Sequence, residues 1–279
     1  MKGDTTKSKT KEEGRMTINK EIEALKAYTS MDRSVLSIYL NTNPADPEQL
    51  NGAWAIHLKS GLKRIGEYIE ASGDEKELKA FNKVKEKVKN EMEKNSLELR
   101  KGAVIFASAN EDLWSVHYVQ VPVKTNFYWE DHPVTEQLEY MYKAYPEAGI
   151  IMPSFGEVRI LDTALGFVRD DVTFKYDPVS ETWNEKVKID SRGRRAVADS
   201  KTAVLDTHYR VNASTFYKGM RTTVEQLRKK RGWREYHVAG EAEMANAFTD
   251  TLRDSPASCV YKNLNNSKAN EVINQILEK

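Results

Sequence analysis

From Asp177 to His208 the chain runs for roughly thirty mostly polar residues between a closely spaced set of strands and a basic amphipathic helix. Such a stretch has nothing to bury. Connections longer than about 12 to 15 residues are uncommon in compact domains and are usually functional or disordered. The fold must therefore be assembled from the apolar pattern on either side, with this segment left as a surface loop. Its charge is uneven: from Asn184 to Lys201, six cations (Lys186, Lys188, Arg192, Arg194, Arg195, Lys201) stand against Glu185, Asp190 and Asp199, a net of +3. Arg192-Gly193-Arg194-Arg195 forms a guanidinium-rich tip. Arginine's planar fork suits phosphate, and Gly193 lets the backbone approach a ligand closely.

A helix is expected from about Tyr209 to Arg231, because Phe216, Met220, Val224 and Leu227 recur at spacings of 4, 4 and 3. Between Lys218 and Glu235, Lys218, Arg221, Arg228, Lys229, Lys230, Arg231 and Arg234 face Glu225 and Glu235, seven minus two, or +5. Cations near a helix C-terminus complement the macrodipole. Seven exceed what a cap requires. The whole chain is nearly neutral, 43 Lys plus Arg against 42 Asp plus Glu over 279 residues, so this half concentrates positive charge. Such segregation is expected of a protein that binds phosphate backbones.

The rest reads as an α/β protein of two domains. Residues 1–15, with no apolar side chain after Met1, are expected to be a disordered tail. Residues 16–131 form an α+β domain. It holds a short helix around Ile22 to Tyr28, a strand at Val35 to Asn41, a helical hairpin, and strands at 102–109 and 113–123. The hairpin pairs about Gly52 to Ser72 (Leu58, Leu62, Ile65, Ile69) with Glu75 to Leu97 (Leu78, Phe81, Val84, Val88, Met92), broken at Ser72-Gly73-Asp74. Phe127, Tyr128 and Trp129 are expected to pack at the domain boundary, with base stacking as the alternative. Residues 132–279 form the second domain. A helix at 134–145 opens it, then strands at 149–153, 158–163 and 167–176, the long loop, the basic helix, and an alternation of strand (236–239), helix (241–252), strand (258–261) and helix (267–277). This meander followed by α-β-α-β-α is the element order of a ribonuclease H-like α/β domain.

Chemistry is sparse. Glu157, Asp162, Asp170 and Asp171 read as surface carboxylates rather than a two-metal nuclease centre. His57, His117, His132, His208 and His237 lack metal-ligand spacing, so neither metal nor cofactor is expected. The single cysteine, Cys259, lies in an apolar run, as a packed thiol in a reducing compartment would. Gly240-Glu241, where a strand meets a helix, suits either an anion or a tight turn. No apolar run reaches transmembrane length and no hydrophobic signal core precedes Met16, so the expected location is the cytoplasm.

The segment Ala148 to Val168, the loop after it, Leu227-Arg-Lys-Lys-Arg-Gly-Trp-Arg234, Tyr236-His-Val-Ala-Gly-Glu241 and Cys259-Val-Tyr-Lys-Asn-Leu-Asn265 resemble the middle domain of archaeo-eukaryotic class-one release factors and the Pelota group. The span from Met16 to Lys279 resembles the bacterial archaeo-eukaryotic release factor-like families. That resemblance implies the ribosome as partner, through rRNA and peptidyl-tRNA, with the loop reaching the peptidyl transferase centre. Release factors carry Gly-Gly-Gln at the loop tip, where the glutamine region orients water. Here no glutamine lies between Asp177 and His208, and Gly193 is the one glycine. Three readings stay open. The chain is a ribosome-bound factor in rescue, termination or dormancy, a peptidyl-tRNA hydrolase with a non-glutamine loop, or a non-catalytic module docking a protein through the hairpin at 52–97.

Overall fold

Helix-forming stripes and alternating strands separate the chain into two units, Met1–Ala144 and Tyr145–Lys279. A computed structural model describes residues 17–31, 34–177, 179–186 and 213–277. The tail expected at 1–15, His208 and most of the expected loop lie outside those residues.

In the first unit, α1 (Ile18–Ala27) begins where Thr17 Oγ1 accepts from the Lys20 amide. Strand β1 (Val35–Asn41) follows, then α2 (Trp54–Ser72) and α3 (Glu75–Lys94). The break between the two helices is built by Gly73, left-handed at φ 78°, and by the Asp74 side chain, which accepts from the Glu77 amide at 2.9 Å. Strands β2 (Gly102–Ser108), β3 (Trp114–Val119) and β4 (Asn126–Glu130) complete an antiparallel sheet ordered β3-β2-β1-β4. Leu36, Ile38 and Leu40 of β1 turn one face to the hairpin. There they join Leu58, Leu62, Ile69, Phe81, Val84, Val88 and Met92, as the stripes require. Phe127, Tyr128 and Trp129 are not a boundary cluster. They are the body of β4, in register with β1 through Leu36↔Trp129 and Ile38↔Phe127.

Helix α4 (Glu136–Ala144) belongs to this unit, so the expected boundary at 131/132 moves to 144/145. The reason lies on β1. The Tyr39 hydroxyl donates to the Val134 carbonyl (2.7 Å) and accepts from the Leu138 amide (3.3 Å), Ser37 Oγ accepts from the Val134 amide (3.0 Å), and Lys26 of α1 pairs with Glu139.

The second unit holds β5 (Ala148–Ser154), β6 (Glu157–Ala164), β7 (Phe167–Asp177), β8 (Thr182–Glu185), α5 (Ala213–Arg231), β9 (Glu235–Ala239), α6 (Ala242–Thr249), β10 (Ser258–Val260) and α7 (Ala269–Leu277). Its six-stranded sheet runs β10-β9-β5-β6-β7-β8. The meander is antiparallel, while β5, β9 and β10 are parallel, the ribonuclease H-like arrangement expected. On one face Ile151, Val158, Ile160 and Val238 meet Phe216, Tyr217, Met220 and Val224 of α5 and Phe248 of α6. On the other, Ile150, Met152, Leu161 and Ala239 meet Val272, Ile273 and Ile276 of α7. Strand β8 shortens the expected loop. It is pinned by Trp183, whose indole donates to the Phe216 carbonyl (3.2 Å) and stacks on Tyr217.

Candidate nucleic-acid interface

The basic helix resolves into an inner and an outer set of cations. At about 100° per residue, Arg231 continues the buried stripe that runs through Phe216, Met220, Val224 and Leu227, while Lys218 and Lys229 point the opposite way within about 20° of one another. Arg231 accordingly turns inward. Its Nη2 lies 2.6 Å from Asp170 and its Nη1 3.9 Å from Asp162. Beside it, Arg169 donates to Asp162 (2.7 Å) and to the Arg231 carbonyl (3.2 Å), and stands 4.0 Å from Glu147. The Trp233 indole adds a second donor to Asp162 Oδ1 at 2.7 Å. Asp162 is 4% exposed and Glu147 0%, so this corner of β6, β7 and α5 is a buried ionic cluster. Asp162 is therefore not a surface carboxylate. It alternates with Val158 and Ile160 on one strand, and that puts it on the helix-covered face.

Other cations are partly committed. Arg228 pairs with Asp254 at 2.6 Å and sits 5.4 Å from the Tyr236 ring centroid. Burial pushes the Tyr236 phenol up, and the Arg228 guanidinium pulls it back down. Arg221 pairs with Glu225 at 3.2 Å, within the helix. Lys186 is 60% exposed beside β7, 4.0 Å from Glu157. Lys218, Lys229, Lys230 and Arg234 are exposed. Among the described residues, no carboxylate pairs with Lys218, Lys229 or Arg234. Lys188, Arg192, Gly193, Arg194, Arg195 and Lys201 lie outside the described residues.

Two smaller expectations resolve into packing. The Gly240 amide already donates to the Val260 carbonyl (3.1 Å), and a Cβ there would meet the Pro153 carbonyl oxygen at 2.9 Å. Close approach of two backbones, rather than an anion, accounts for that glycine. His237 is buried, with Nδ1 2.8 Å from Ser258 Oγ and Nε2 3.4 Å from Glu235. Among the described residues no helix is long and apolar enough to cross a membrane.

Fold and site together define an α/β protein whose second unit presents a cationic helix face over a mixed sheet. Residues 146–278, nearly all of that unit, match the model of bacterial archaeo-eukaryotic release factor family 5. The uncharacterized protein YocB of Bacillus subtilis (strain 168) is 31% identical over 246 residues, 88% of this chain and 92% of that one. Two solved structures align at lower similarity. The crystal structure of the archaeal translation termination factor aRF1 shares 14% identity over 92% of this chain and 72% of its own, with a TM-score of 0.33. An archaeal protein shares 14% over 95% and 74%, with a TM-score of 0.30. The chain belongs to the bacterial archaeo-eukaryotic release factor family, and is a release-factor-like protein.

Proposed function

We propose that this release-factor-like protein occupies the ribosomal A site and holds rRNA through the outward cations of its second unit. Lys218, Lys229, Lys230 and Arg234, with Lys186 and the loop cations Lys188, Arg192, Arg194, Arg195 and Lys201, make the contacts, and Gly193 lets the loop tip approach closely. Arg231 instead fastens α5 to the sheet. The observation that carries the reading is the alignment of Lys218 and Lys229 on the face opposite the buried stripe, without carboxylate partners among the described residues. The lack of glutamine between Asp177 and His208 favours occupancy, as in rescue or dormancy, over release of the nascent peptide.

Co-sedimentation with ribosomes at rising salt tests it, because each phosphate contact releases counterions and steepens the salt dependence. Wild-type protein comigrates at low salt and dissociates as salt rises. The double reversal Lys229→Glu plus Arg234→Glu weakens binding about tenfold or more while leaving folding intact. Peptide stays on the tRNA when stalled complexes are incubated with the protein. Failure to comigrate at any salt ends the proposal, and released peptide replaces it with the hydrolase reading.

A further inference from the structure

Among the described residues strand β4 pairs with β1 alone, so one edge of the first unit's sheet is open. The Ser34 amide donates to the Glu130 carbonyl at 3.1 Å, which points the Glu130 backbone toward β1. By antiparallel alternation Asn126 and Tyr128 point the same way, and the N–H and C=O groups of Phe127 and Trp129 point outward. No described residue bonds to those outward groups.

A hollow of about 380 Å³ is lined by Phe127, Tyr128, Trp129 and Glu130 together with Arg64, Ile65, Tyr68 and Ile69 of α2. Four consecutive strand residues send side chains to alternating faces, so a single hollow meets all four only along the strand's edge. A second hollow of about 330 Å³ shares Arg64 and Phe127 and extends past Gly61 to His57 and Thr125. The two hollows lie along the same seam between α2 and the edge strand. The Phe127 ring packs on Gly61 between them, where a Cβ would stand 2.4 Å from the ring.

The walls carry a chemical signature. Ile65 and Tyr68, the latter 72% exposed, offer apolar surface. Glu77 is occupied by the Trp129 indole at 2.9 Å, and Arg64 is exposed with no carboxylate partner among the described residues. One unmatched guanidinium thus stands beside a row of unmatched peptide groups. Independently of the ribosomal reading, we propose that this seam takes an extended peptide segment of a protein partner, added to β4 as a fifth strand. An acidic side chain of the segment pairs with Arg64, and an apolar one packs on Ile65 and Tyr68. Single-stranded RNA fits less well, since outward N–H and C=O groups in strand alternation match a second peptide backbone rather than a sugar-phosphate chain.

The probe is a pool of fluorescein-labelled peptides of about six residues, the usual strand length, built from alternating β-branched residues around a central aspartate. A twin pool carries N-methyl groups on alternate amides. With the full chain, the parent pool slows hydrogen exchange at Phe127 and Trp129. The N-methylated pool binds about tenfold more weakly, as expected when two hydrogen bonds are lost. Arg64→Glu, an exposed change that leaves the core untouched, weakens the parent pool about fivefold and restores binding when the central aspartate is replaced by lysine. Equal binding by the N-methylated pool overturns the proposal. So does the absence of protection at millimolar peptide, or protection of the same amides by an oligouridine instead.

Discussion

The two units bury polarity in opposite ways. In the first, the buried polar side chains among the described residues are uncharged: Ser30, Ser34, Ser37, Thr42, Gln49, Ser108, Ser115 and Thr135. Each of the serines on β1 and before it is settled by one or two short bonds, as Ser37 is by the Val134 amide and Ser30 by Ser34. In the second unit, the acidic side chains of Glu147 and Asp162 are buried and face Arg169 and Arg231, with Asp162 Oδ2 accepting no hydrogen bond among the described residues. A neutral hydroxyl is cheap to bury once bonded. A charge is costly unless fully matched, so its partners become a linked set. The first unit rests on apolar packing with isolated polar seams, whereas one corner of the second depends on several groups being present at once.

Removing one member of that set should have the largest effect. Asp162→Ala leaves Arg169 facing a cavity and takes the acceptor from the Trp233 indole. The second unit should lose about 3–5 kcal/mol in urea titration, while the first unit's transition stays in place. A loss below about 1 kcal/mol would show the cluster to be wetter or looser than its geometry implies. Ser37→Ala makes the matching cut in the first unit, orphaning the Val134 amide, and should cost about 1–2 kcal/mol in the same titration. Similar losses from the two variants would erase the contrast.

Alkali sharpens the comparison from the other side. Burial pushes the phenols of Tyr39 and Tyr118 up, that of Tyr118 to about 12. Below about pH 10 both rings are protonated in the folded and the unfolded chain, and stability is flat. Above it the unfolded chain ionises first. The first unit should therefore weaken as pH rises from about 10 toward 12, with Tyr118→Phe flattening part of the slope. Phenol absorbance recorded alongside unfolding checks this. An unchanged first unit at pH 11 would mean that neither phenol is held up by burial.

Much of this organisation is legible in the residues themselves. The stripes of α2 and α3, the break at Ser72-Gly73-Asp74 and the strands at 35–41 and 158–163 are local patterns, and the structure follows them. What escapes depends on partners far along the chain. Phe127-Tyr128-Trp129 shows no alternation, and its strand character comes from pairing with β1, ninety residues earlier. Strand β8 is four residues in a polar setting, fixed when Trp183 reaches Phe216 and Tyr217. Helix α4 reads as part of the wrong half because Tyr39, which holds it, precedes it by about a hundred residues. The inward turn of Arg231 is different. Its spacing of four from Leu227 places it on the apolar stripe, and Asp162 stands two residues beyond Ile160. A cation and an acid each in step with a buried face is a readable sign of an internal pair.

Because α5 ends in a guanidinium paired with carboxylates of β6 and β7 together, its final turn is tied to two strands at once. On the proposed ribosomal reading, a phosphate closing on Lys229 would have side-chain rotamers to immobilise, about 0.5–1.5 kcal/mol for each, on a helix turn already tied down. On that proposal the hidden arginine would lower the entropic toll of recognition at a neighbour it never touches.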